Sequence, residues 1–283
     1  MSVGRSPRRL VVNADDFGFS PGVTEGILRA HAEGVVTSTT IAANMPAAEE
    51  AVGRLGEAPR LGVGVHLNVT QGPVLSEAGR ALAGPGGVMD RSAAGLLAAV
   101  TRRPGLLDAV EAECEAQLLW LLDCGVRPTH LDSHRHVHAW PGVFARVARL
   151  ARRYHVPFVR WYEEHLPGCG WPRPDRRQRR ITTALNVLAV GMRCLAPDLR
   201  GTRGTWGVGQ TGRLDAGWLV RAARRLPAGA WEIMAHPGFG EDLDPSQTRL
   251  IAARRAELDA LCDPQVRAAL QANGIELVNY GQL

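Results

Sequence analysis

Four histidines fall within nine residues in His130-Leu131-Asp132-Ser133-His134-Arg135-His136-Val137-His138. Imidazole is the commonest transition-metal ligand and is largely neutral near pH 7, so a cluster of this kind points to metal ligation. Alternate residues of a strand share a face, which places His130, Asp132 and His134 together with His134 at the strand exit. Position alone does not rank His134 above His136 or His138. Two adjacent carboxylates, Asp15 and Asp16, close Asn13-Ala14-Asp15-Asp16 directly after the apolar run Leu10-Val11-Val12. Facing different directions, one carboxylate could bind a metal while the other takes a proton from water. His66 follows Gly62-Val63-Gly64-Val65, and glycines in a strand mark close approach of another backbone or a ligand. His236, in Ala235-His236-Pro237-Gly238, is a candidate general acid. Each signal has a plainer reading when taken singly: a solvated loop, a helix-capping turn, a core histidine, a structural turn.

What joins them is the pattern of elements. Apolar runs predict strands at 10–12, 37–43, 61–69, 129–133, 157–160, 231–235 and 275–279. Helical patterns fall at 21–33 (Ser20 as N-cap, Pro21 in the first turn), 47–55, 108–123, 142–154, 181–195, 214–226, 247–261 and 265–273. Alternating strands and helices predict an α/β fold with a parallel sheet, open or closed into a barrel. Sites in such folds lie at the C-terminal ends of the strands, where the three polar clusters fall. Stretches 71–91 and 161–180 break the pattern and read as loops. No linker or internal repeat divides the chain, so one domain over residues 1–283 is expected.

Composition narrows the chemistry. Hydrophobic residues make up 45% of the 283 and charged residues 22%, enough for a sizeable core. The formal net charge is +5, but the basic residues are scattered apart from a run at 173–180, read as a solvated face. With three Tyr and five Phe to interleave, no nucleic-acid partner is expected. Lysine is absent: every basic side chain is arginine, which excludes Walker-type phosphate loops and Schiff-base chemistry. Cys114, Cys124, Cys169, Cys194 and Cys262 are odd in number and form no C-x-x-C pair, so reduced thiols in a cytoplasmic protein are expected. The apolar run after the basic N-terminus is too short for a signal-peptide core, and no stretch reaches membrane-spanning length.

Together, Asn13-Ala14-Asp15-Asp16-Phe17-Gly18, Thr37-Ser38-Thr39-Thr40, Gly64-Val65-His66-Leu67, the motif from Pro128-Thr129 through His138, and His236-Pro237 resemble the YdjC-like carbohydrate deacetylases. The motifs run in family order from the first strand to the last third of the chain; the middle, about 161–201, shows no match. The resemblance implies a distorted (β/α) barrel related to polysaccharide deacetylases, often a homodimer, acting on N-acetylated sugars. It also implies Asp16, His66 and His134 as metal ligands, Asp15 as catalytic base and His236 as a general acid. Arg135 departs from the pattern in a way that bears on substrate contacts and not on the ligand set.

The expected reaction is removal of an acetyl group from an N-acetylated amino sugar or oligosaccharide. One divalent ion is expected. The family is usually associated with magnesium, whereas two imidazoles suit zinc or another transition metal better. Trp161, Trp171 or Trp206 could stack on a sugar ring or lie in the core. Two alternatives stay open: a hydrolase of another bond such as a phosphoester, with His136 or His138 building a second metal site, and a non-catalytic sugar-binding protein on the same fold.

Overall fold

A computed structural model describes residues 7–164 and 174–283. The chain opens with β1 (Arg8–Phe17), α1 (Pro21–Ala32), β2 (Ser38–Ile41), α2 (Ala48–Gly53) and β3 (Gly62–Leu67). As expected, Ser20 caps α1 by accepting from the Val23 N–H. A short antiparallel hairpin follows, β4 (Gln71–Pro73) with β5 (Val88–Asp90), then α3 (Ala93–Arg102), α4 (Leu106–Asp123), β6 (His130–Ser133), α5 (Pro141–Arg153) and β7 (Phe158–Val159). The remaining elements are α6 (Arg176–Leu195), β8 (Thr205–Trp206), α7 (Ala216–Arg225), β9 (Gly229–Ala235), α8 (Ile251–Cys262), α9 (Pro264–Ala272) and β10 (Ile275–Leu277).

The main sheet is parallel and runs β7-β6-β3-β2-β1-β9-β8. The ring is completed only by an isolated bridge between β7 and the segment ahead of β8, Phe158 with Arg200, where the Val159 N–H donates to the Arg200 carbonyl at 3.0 Å. A ring closed so narrowly is a distorted barrel. The distortion continues on β1. Since β9 pairs with β1 from Arg8 to Ala14, the opposite edge is left for β10 beside Arg8–Leu10 and for β2 from Asn13 onward.

Strand alternation sorts β1 into two faces. Leu10, Val12 and Ala14 pack into the main core between barrel and helices, while Val11 joins Phe158, Val278 and Tyr280 in a separate small cluster. Asn13 and Asp15 follow Val11 on that inner face. On β3, a side chain at Gly64 would put its Cβ 2.5 Å from the His130 carbonyl, so only glycine fits there.

Three local expectations need correction. Segment 71–91 holds the β4–β5 hairpin and a 3₁₀ turn at Ala78–Leu82. Helix α6 starts five residues earlier than predicted, at Arg176, because the Asp175 carboxylate caps it through the Gln178 N–H. Strand β8 and helix α3 were not expected; β8 is two residues long and lies among Gly201, Gly204, Gly207 and Gly209. Trp171, Cys169 and Arg173 lie outside the described residues.

Candidate active site

Asp15 and Asp16 both reach the barrel mouth because the backbone changes hand between them. Asp16 has φ of 74°, and the β1–β2 register shifts across this point. This left-handed residue breaks the strict alternation that would otherwise send the two side chains to opposite faces. Both carboxylates are buried.

Asp16, His66 and His134 offer ligand atoms that all lie within 4.8 Å of one another. Asp16 Oδ1 is 3.3 Å from His66 Nε2 and 3.2 Å from His134 Nδ1. His66 Nδ1 sits 2.7 Å from Asp132 Oδ1. That bond fixes the ring so that Nε2 faces Asp16, the arrangement by which an outer carboxylate orients a metal-ligating histidine. Arg254 Nη2, from α8, donates to the other Asp16 oxygen at 2.5 Å.

Arg160, just past β7, is the hub below. It donates to both Asp15 oxygens at 2.7 and 2.8 Å, to Asp132 Oδ2 at 2.7 Å and to Glu232 Oε1 at 2.8 Å. The contacts continue as a closed circuit. Glu232 accepts from the Tyr280 hydroxyl at 2.9 Å, Tyr280 stacks on His130 at 3.9 Å, and His130 Nε2 meets Asn13 Oδ1 at 3.0 Å. Asn13 Nδ2 then donates back to Asp15 Oδ1 at 2.9 Å.

Charge decides what else the site accepts. Asp15, Asp16, Asp132 and Glu232 are four buried carboxylates set against two buried guanidiniums, Arg160 and Arg254. Burial pushes His66 down, but Asp132 and the other carboxylates overcome it and raise the imidazole to about 10. Burial likewise pushes the Asp15 and Asp16 carboxyls up, and the guanidiniums of Arg160 and Arg254 hold them below the ordinary carboxylate range. A divalent cation among Asp16, His66 and His134 would meet this negative surplus, so both donor set and field fit one.

A second group of ligand-type side chains, Asp15, His66 and Asp132, shares His66 with the first. Both of its carboxylates already hold Arg160. His136 and His138 belong to neither group. His138 uses Nδ1 on Ser133 Oγ at 2.6 Å and Nε2 on the Arg160 carbonyl at 3.3 Å. His136 meets the Tyr162 hydroxyl at 3.1 Å.

His236 stands at the end of β9, its backbone N–H donating to Glu257 at 2.6 Å. Its Nδ1 is buried without a hydrogen-bond partner. Burial lowers the imidazole to about 4 against the opposing pull of Asp16 and Asp15, so the ring is neutral at pH 7. Trp161 and Trp206 are both buried, packing on Phe144 and Trp231 respectively. The sequence reading missed Arg160 and Arg254. A charged residue ending the expected strand at 157–160 was the available signal for Arg160; Arg254 sits in an ordinary helical pattern and gave none.

A model of YdjC-like proteins matches residues 9–272. A carbohydrate deacetylase from Geobacillus stearothermophilus is 36% identical over 276 residues, 97% of each chain. Another carbohydrate deacetylase, from Brevibacillus brevis, is 45% identical over 275 residues, 97% of this chain and 99% of that one. A solved candidate cellobiose-phosphate cleavage protein from Enterococcus faecalis V583 is 26% identical, with a TM-score of 0.78, covering 98% of this chain and 99% of that one. The chain belongs to the YdjC-like family.

Proposed function

We propose that this protein is a metal-dependent carbohydrate deacetylase that hydrolyses the N-acetyl amide of an amino sugar or oligosaccharide. The observation that carries the reading is the divergent fate of two neighbouring carboxylates. Asp16 lies with two imidazoles as a ligand set, while Asp15 is held on both oxygens by Arg160. The names of the full-length relatives support the reaction class.

Asp16, His66 and His134 would hold the ion. Once bound, it supplies an acidified water and polarises the acetyl carbonyl. Two imidazoles and one carboxylate favour zinc or another transition ion over magnesium. Asp15, kept ionised by Arg160, takes the proton of the attacking water. His236 delivers a proton to the departing nitrogen as the C–N bond breaks. The resting ring is neutral, so it must first take up the proton it passes on, and the proton that Asp15 removes from water returns to solvent, which leaves both groups as they began. The products are acetate and the free amine.

The His136 and His138 contacts favour this reading over a two-metal phosphoester hydrolase, since the rings bond to protein groups instead. A sugar-binding protein without catalysis would need no ionised base beside the ligand set. The proposal includes one catalytic domain over the chain, cytoplasmic residence and a homodimer; sedimentation velocity tests the last. The described helices include none long and apolar enough to cross a membrane.

The test is acetate release from N-acetylglucosamine oligomers with and without a chelator. Asp15→Asn is expected to lower kcat at least a hundredfold, a typical general-base contribution, while metal content stays intact. Undiminished turnover by Asp15→Asn would remove the proposed base.

A further inference from the structure

His66 and His134 are held in different ways. The His66 ring faces Asp16 and has an outer partner in Asp132, at 2.7 Å. Among the described residues the His134 ring has Asp16 as its one hydrogen-bond partner, at 3.2 Å, with Phe19 and His66 as ring neighbours. Its direction is therefore set by its backbone. That backbone is costly, because Arg135 and His136, directly after it, are consecutive left-handed residues and neither is glycine. Such residues persist only where their surroundings hold them. His136 is held by Tyr162, and His138 by Ser133 and the Arg160 carbonyl. Arg135 is held by the β4–β5 hairpin. Its Nη2 donates to Gln71 Oε1 at 2.9 Å and its Nη1 to the Arg91 carbonyl at 2.5 Å. Gln71 opens β4 and Arg91 directly follows β5, so the guanidinium spans the base of the hairpin.

That base is a fixed point. Asn44 and Asn68, both buried, each donate to the Gln71 carbonyl at 2.9 Å, and the Arg91 N–H donates to the Thr70 carbonyl at 2.8 Å. Gln71 Nε2 is buried without a partner, so the amide is turned toward Arg135 at the expense of its own N–H groups. We infer that Arg135 is a positioning residue for His134: its forked guanidinium ties the left-handed turn to the base of the hairpin and does for His134 what Asp132 does for His66. Arg135 is itself no ligand. The inference rests on the reading of Asp16, His66 and His134 as a ligand set. Charge and position predict opposite signs here. A guanidinium one residue from a ligand repels a cation, and Arg135 also acts electrostatically on Asp16. Were charge its whole effect, removing it would tighten metal binding. If it positions His134, removing it weakens metal binding.

Equilibrium dialysis of the full chain against zinc, without substrate, tests it. Loss of binding in His134→Ala identifies the site being read. Arg135→Met is expected to weaken binding about tenfold, the lower end of the range for outer partners of a metal ligand. Arg135→Lys keeps the charge, but one ammonium cannot span both acceptors, so it should weaken binding by roughly threefold or more. Gln71→Leu removes one acceptor at similar volume; it should cost about threefold in the parent and nothing further once Arg135 is replaced by methionine. Urea midpoints show that the variants fold, and a merely structural role would move the midpoint while leaving the dissociation constant unchanged. The inference is overturned if Arg135→Met or Arg135→Lys binds zinc as tightly as the parent or more tightly, or if the effects of Gln71→Leu and Arg135→Met simply add. A parent protein that binds no zinc, or His134→Ala that binds as the parent does, overturns the ligand set and this role with it. Parent binding that His134→Ala loses and Arg135→Met keeps overturns this role alone.

Discussion

Arg160 is the residue on which most of the buried charge depends. Its guanidinium serves Asp15, Asp132 and Glu232 at once, and all four side chains are essentially inaccessible to water. Replacing it with methionine keeps much of the volume but strands three carboxylates. Breaking a buried ion pair from one side costs about 3–5 kcal/mol. Arg160→Met is therefore expected to lower stability by that much in urea unfolding, and a loss under 1 kcal/mol would show that the carboxylates find other partners. Asp132→Ala probes the other arm. Loss of the carboxylate that orients His66 should weaken metal binding about 10- to 100-fold, read by equilibrium dialysis. An unchanged dissociation constant would detach Asp132 from the ligand set. The sequence made the acid pair and the histidines visible because each sits in a short dense motif. It could not show their counter-ions. Arg160 is 145 residues from Asp15 and Arg254 is 238 from Asp16, and nothing local marks either partnership.

At the scale of elements, period and length decided what could be read. The long helices, the strands holding Asp15, His66 and Asp132, and the strand that ends just before His236 have clear apolar patterns. Of the two strands at the barrel seam, β7 falls in the apolar run at 157–160, but β8 has two residues among glycines, too few for any periodicity. Likewise, His134–Ala139 carries left-handed backbone at Arg135 and His136, with φ of 56° and 58°. That twist ends the strand's alternation after Ser133, so extrapolating one face through His134 captured the neighbourhood but not the geometry. Strand β3 gives the clearest link between sequence and packing, because its glycines make room for inward side chains. Gly64→Ala would drive a methyl group to 2.6 Å from the His130 ring as well as into its carbonyl. Overpacking of this kind costs about 1–3 kcal/mol. At Gly56, by contrast, a Cβ meets nothing within 4 Å. The urea midpoint should fall for Gly64→Ala and stay nearly constant for Gly56→Ala. Equal midpoints would mean that the His130 layer yields without cost.

Over the whole molecule, buried ionisable groups make stability depend on pH in two opposing ways. His130, His136, His138 and His236 are pushed down by burial, to between about 3 and about 4. Groups of this kind contribute stability above their ordinary pKa near 6.5 and lose it as pH falls. Glu164 and Glu257 act the other way. Each accepts two backbone N–H groups, from Gly207 and Gly209 and from Gly212 and His236, yet burial outweighs those bonds and raises both carboxyls to about 7. A raised carboxyl favours the folded state fully below its ordinary value of 4.5, and that contribution is lost as pH rises through about 7. The shift corresponds to on the order of 3 kcal/mol for each glutamate. The opposing histidines mask this trend in the parent protein, so the measurement is a difference. Melting temperatures of the parent and of Glu164→Gln/Glu257→Gln are compared at pH 5 and pH 8, with the histidines common to both. Glutamine does not titrate, and its one lost acceptor is a cost that does not vary with pH, so the variant should gain on the parent as pH rises from 5 to 8. A gap that stays constant would mean that both glutamates are ionised throughout that range, with the backbone donors around them outweighing burial.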